Sequence, residues 1–122
     1  MKYYNLSFLP TYVGYCPDKE SWKSEMKRLG VKNEPYPKTH GRCTRFIKDH
    51  DHTVIICINP KSDTTELQVI GLIAHEVSHA VDYIFEDIGE DNPSSEFKAY
   101  LSQFLVQNIY EDWKKIVESK KS

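Results

Sequence analysis

Cysteine is scarce in this chain. There are three in 122 residues, Cys16, Cys43 and Cys57, an odd count with no CxxC pair. That excludes a disulfide framework and fits a reducing compartment, so a cytoplasmic protein is expected. Long apolar runs are missing too. The opening stretch MKYYNLSFLPTYVGYCP is interrupted by Asn5, Ser7 and Pro10, so neither a signal peptide nor a membrane span is read, and no membrane partner is expected. Charge of one sign is absent: the formal net charge is −2, and no Lys/Arg block stands out. Nucleic acid is therefore not an expected partner. No repeat or low-complexity segment occurs. With 39% hydrophobic and 28% charged residues, the chain reads as one globular domain over residues 1–122.

What is present is a clear alternation of segments. YYNLSFL (3–9) is a candidate short strand with imperfect alternation. CPDKESWKSEMKRLG (16–30) reads as a helix, with Pro17 and Asp18 as start signals and Gly30 as the stop. Two prolines and a glycine make 31–41 a loop. RCTRFIK (42–48) and TVIICIN (53–59), joined by DHDH, predict a β-hairpin with the second strand the more buried. A long helix is predicted from about 64 to 88, capped by Ser62 or Asp63. GEDNPSS (89–95) breaks it, and Ser94 or Ser95 caps a last helix running into the lysine-rich tail. The predicted class is α+β: a small antiparallel sheet or hairpin packed on two long helices.

The long helix carries the chemistry. Val69, Ile73, Val77, Ala80, Ile84 and Ile88 recur at three- and four-residue spacing, with Ile70, Val81 and Phe85 beside them, which makes a broad core-facing stripe. A second line, Gln68, Gly71, His75, Ser78, His79, Asp82 and Glu86, is polar. His75 and His79 are one turn apart on that line, so their imidazoles can converge on one tetrahedral ion. Glu76 lies about 100° around the helix, where it can take a proton from an activated water. A motif this short can arise by chance, and its setting decides. A merely solvated helix face needs neither apolar residues around most of the circumference nor a glycine one turn before the first histidine.

A catalytic zinc ion needs a third protein ligand. Glu96, 17 residues beyond His79, opens the next helix, and an antiparallel return could bring it to the pair. A carboxylate there also suits the helix dipole on structural grounds alone. His75-Glu76-x-x-His79 followed by Glu96 resembles the gluzincin class of zinc metallopeptidases. The segment GLIAHEVSHAVDYIFEDIGEDNPSSEFKAYL is also similar to small metallopeptidase-like proteins of tailed bacteriophages, and the resemblance covers roughly residues 40 to 110. It implies a minimal zincin-like domain with Zn2+ held by His75, His79 and Glu96, and with Glu76 as general base. The substrate it implies is a peptide or protein. The strand at 53–59 would line the cleft and pair with an extended substrate. Where larger members carry an acidic residue one turn after the ligand glutamate, this chain has Tyr100, a candidate hydrogen-bond partner or oxyanion donor.

Other readings stay open beside this one. The chain is short, which leaves room for a non-catalytic zinc-stabilised interaction module, or for a metal amidase acting on a non-protein amide. Asp49, His50, Asp51 and His52 read as ordinary turn residues, and His40 as a loop residue. Cys43 is a weaker candidate third ligand, similar in its upstream position to the cysteine ligand of peptide deformylases. Cys57 reads as core. The sequence does not specify an oligomeric state.

Overall fold

The computed structural model describes residues 1–90 and 92–121. The elements run β1 (Lys2–Tyr4), β2 (Tyr12–Cys16), α1 (Lys19–Leu29), β3 (Gly41–Lys48), β4 (Asp51–Ile58), α2 (Glu66–Asp87) and α3 (Ser95–Lys121). The class is α+β, as expected. The sheet differs from expectation by being mixed: its order is β1-β2-β4-β3, with β2 parallel to β4 and the other pairs antiparallel.

The first 16 residues account for that difference. The strand expected at 3–9 is only β1, and β2 occupies residues that look irregular in sequence. Gly14 weakens the strand signal there, yet the fold uses it. Tyr3 pairs with Gly14, and a Cβ at position 14 would come within 2.8 Å of the Tyr3 ring. The glycine thus lets an aromatic ring lie flat across the pair. Because β2 runs through Cys16, α1 starts later than expected. Asp18 is its N-cap and accepts from the Ser21 N–H at 2.8 Å.

β4 is the central hydrophobic strand. All residues from Thr53 to Ile58 are buried, because helices cover both faces of the sheet. Val13, Tyr15, Val54, Ile56 and Ile58 turn towards α2 and α3, where they meet Ile73, Val77, Ala80, Ile84 and Leu105. Cys16, Ile55 and Cys57 turn the other way, onto Trp22, Met26 and Leu29 of α1. With β2 on one side and β3 on the other, β4 has no free edge. The expectation that the strand at 53–59 pairs with substrate is therefore corrected: in this sheet, β3 is the edge strand on that side.

The predicted hairpin is β3–β4, closed by Asp49 and His50, with Asp49 at φ 57°. α2 begins at a Thr65/Gln68 capping box rather than at Ser62 or Asp63. The α2–α3 break holds as expected, apart from Asp91, which lies outside the described residues. Ser94 caps α3 by accepting from the Phe97 N–H at 3.4 Å. The two helices are antiparallel: Glu66 at the start of α2 meets Lys114 at 3.1 Å, and Phe85 near its end meets the Phe97 ring at 5.6 Å. No described helix is long and apolar enough to cross a membrane.

Candidate metal centre

α2 lies across β4 and β3, its apolar stripe on the sheet and its polar line facing out. His75 and His79 are exposed, with ring centroids 5.0 Å apart and planes at 74°. Glu76 is turned inward and is only 6% exposed. It fits there because β3 opens with Gly41: a Cβ at that position would sit 3.0 Å from Glu76 Oε2. Burial raises the Glu76 pKa, and the two neighbouring imidazoles partly offset that effect.

These three side chains meet. One ligand atom from each of His75, Glu76 and His79 lies within 4.8 Å of the others, and this is the metal-competent group among the described residues. Donors around a four-coordinate zinc ion are about 3 to 4 Å apart, so small side-chain rotations would close the set. The donor chemistry, two imidazoles and a carboxylate, fits zinc.

Glu96 is not among the three side chains of this group. It is exposed in the first turn of α3. The start of α3 meets the last turns of α2 through the Phe97 ring on Phe85 and through Lys98, 3.5 Å from Asp82 on the polar line of the histidines. Tyr100, one turn further along α3, is 67% exposed and lines neither pocket around the histidines.

The side chains that do line the cleft come from elsewhere. Beside the histidines and Glu76 are Thr39, Gly41, Cys43 and Tyr83, and a wider hollow of about 930 Å³ extends past His40, Gln68 and Gly71. Tyr83 sits one turn beyond His79, so the spacing that selected the histidines also points to it; its partner Arg45, stacked 4.6 Å over the ring, comes from β3 and was not readable. Cys43 is half-buried next to Glu76, and burial pushes its thiol up to about 12, with the Glu76 charge adding to the effect.

The far end of α2 is fixed by a buried carboxylate. Asp87 accepts from the Thr11 hydroxyl at 2.7 Å, and its other oxygen lies 2.8 Å from His52 Nδ1 and 3.5 Å from Arg45. His52 is therefore more than a turn residue: it belongs to β4 and stands against the end of α2.

No family model matches the chain, and no curated protein or solved structure is significantly similar to it.

Proposed function

We propose that this protein is a zinc-dependent hydrolase of peptide bonds. The observation that carries the reading is the convergence of His75, Glu76 and His79 on one point beside a free sheet edge. His75 and His79 would hold the ion, with Glu96 or the cleft-lining Cys43 as the third protein ligand, and the ion when bound supplies an electrophile for water and carbonyl. Glu76 would accept the proton of the attacking water and return it to the departing amine. Its raised pKa makes it a better base than an exposed carboxylate. Edge strand β3 offers unpaired backbone groups to an extended peptide. Tyr83, rather than Tyr100, is the phenol that lines the cleft. The three free cysteines accord with a cytoplasmic setting.

A second reading has an observation of its own. The carboxylate grouped with the imidazoles is that of Glu76, so Glu76 could ligate the metal and leave a structural, non-catalytic zinc module. One experiment separates the two: zinc per chain, together with cleavage of a peptide library, for wild type, His79→Ala and Glu76→Gln. The hydrolase reading expects His79→Ala to lose zinc, and Glu76→Gln to keep zinc and lose cleavage. Loss of zinc in Glu76→Gln would establish the structural reading instead. Zinc absent from wild type would remove both. Glu96→Ala should lose zinc if Glu96 is the third ligand and retain it if Cys43 is.

A further inference from the structure

On the face of the sheet opposite the metal centre, α1 and the loop after it enclose a groove of about 550 Å³. Its construction follows from local chemistry. Gly30 ends α1 in the left-handed conformation (φ 71°), and the Val31 N–H donates to the Met26 carbonyl at 2.9 Å, which turns the chain back along the helix. The Trp22 indole N–H then donates to the Glu34 carbonyl at 2.9 Å, and its ring meets Tyr36 edge-on at 6.1 Å. The loop is thus held a fixed distance from the helix. Trp22 and Met26 form the floor, and Val31 and Tyr36 the far wall.

The rim is basic. Lys19, Lys23 and Lys27, one turn apart, make a ridge along α1, and Lys32 stands across from them; Glu34 is the acidic residue lining the groove. All four lysines are exposed. The ion pairs among the described residues engage Lys2, Arg28, Arg45, Lys98, Lys114 and Lys115, so none of the four is in them. In a chain of net charge −2, this is a local concentration of uncompensated cations around an apolar floor. A solvated lysine ridge requires no such groove, and a purely apolar site requires no such rim.

We propose that this groove docks an acidic segment of a partner protein, one apolar side chain lying in the groove between α1 and the 31–36 loop while flanking carboxylates meet Lys19, Lys23, Lys27 and Lys32. Charge complementarity selects the occupant. The site stands apart from the metal centre and does not depend on its function.

The test uses the full chain and a blocked synthetic peptide in which a Leu-Phe pair is flanked on each side by aspartate and glutamate. Calorimetry gives the affinity, and the Trp22 indole N–H resonance, distinguished from that of Trp113 by Trp113→Phe, reports where the peptide sits. The expected result is saturable binding that weakens with salt, shifts the Trp22 signal, and falls about tenfold or more in Lys23→Glu/Lys27→Glu. The same charge change on α3, Lys115→Glu/Lys120→Glu, should leave it within about twofold; Lys23→Gln/Lys27→Gln repeats the test without adding like charges to the groove. The proposal is overturned by no binding at millimolar peptide, by equal loss in the α1 and α3 variants, or by equal binding of the Asn/Gln version of the peptide. It is also overturned if anionic vesicles, an oligonucleotide or a second copy of the chain shifts the Trp22 signal and the peptide does not.

Discussion

The Glu76 carboxylate rests on the backbone of Gly41, so closely that a Cβ there would lie 3.0 Å from Oε2 and 3.3 Å from Cγ. Those distances require a neighbour to yield by a few tenths of an ångström, and the end of the Glu76 side chain is the part that can. Gly41→Ala should therefore fold normally and bind zinc as wild type does. Displacing the base should lower hydrolysis by about ten- to a hundredfold, the size of effect a misplaced catalytic group produces. Zinc analysis and cleavage rates on the same samples check this. Wild-type rates in Gly41→Ala would show that the position of Glu76 is not critical.

Glu76 also sets a pH dependence in the metal-free protein. Burial raises its folded-state pKa, so the folded protein binds this proton more tightly than the unfolded chain does. Ionised Glu76 then costs stability, and the cost appears as pH rises from the ordinary carboxylate value, about 4.3, through the raised one. Metal-free Glu76→Gln should be more stable than wild type at pH 7, with the gain fading towards pH 4. Urea melts across that range give the answer. A less stable variant at neutral pH would mean that the carboxylate has a stabilising partner in solution.

Gly71 stands one turn before His75 in the middle of α2, and a Cβ built there meets nothing within 4 Å. Glycine in a helix interior costs about 0.5–1 kcal/mol relative to alanine, so Gly71→Ala should raise the melting temperature by a few degrees. The glycine keeps one wall of the hollow beside His75 open. Gly71→Trp should leave zinc content intact while weakening peptide binding there. If Gly71→Trp binds and cleaves peptides like wild type, that hollow is not the substrate path.

Much of this was legible because α2 reports itself by period. The inward stripe and the outward line through His75 and His79 follow from spacing alone, and both occur, except that Ile70 and Ile88, expected in the stripe, are exposed. The hairpin was legible from two β-rich runs around DHDH. β2 was not, since Gly14 and Tyr12 break the alternation and its parallel partner β4 is 40 residues away. How α3 docks was illegible for a related reason: spacing limits how far a chain can return, whereas contacts such as Phe97 on Phe85 and Lys98 on Asp82 join residues of two separate helices. Gly41 beneath Glu76 is likewise a cross-element contact between residues 35 apart, with no trace in either local pattern.

Asp87 and Glu86 are neighbours that share Arg45, and they should behave differently. The Asp87 side chain is 3% exposed and held by Thr11, His52 and Arg45; Glu86 is largely exposed and meets Arg45 at 3.2 Å. Asp87→Ala leaves the Thr11 hydroxyl without its acceptor and Arg45 without its buried carboxylate, and should cost about 2–4 kcal/mol. Glu86→Ala should stay within about 0.5 kcal/mol. Denaturant titrations of the two variants compare them directly. Similar small losses in both would show that the cluster does not anchor α2.

The opposite sign of pH dependence is expected at Glu25. Its carboxylate is buried on α1 and takes two bonds from Arg28, from Nε at 2.7 Å and from Nη2 at 2.8 Å, plus one from the Tyr3 hydroxyl. The Arg28 bonds are the main reason its pKa lies below the usual carboxylate value, with burial opposing them. A depressed pKa means that ionised Glu25 stabilises the fold above the unfolded value of about 4.3, and that this is lost as pH falls through the lower folded one. Arg28 is itself largely exposed, so solvent screens the pair, and Glu25→Gln should cost about 1 kcal/mol at pH 7. That difference should shrink as pH drops towards 3 and as salt rises, and Tyr3→Phe should remove a smaller part of it. A loss that stays constant from pH 7 to pH 3 would assign the effect to packing around the side chain rather than to its charge.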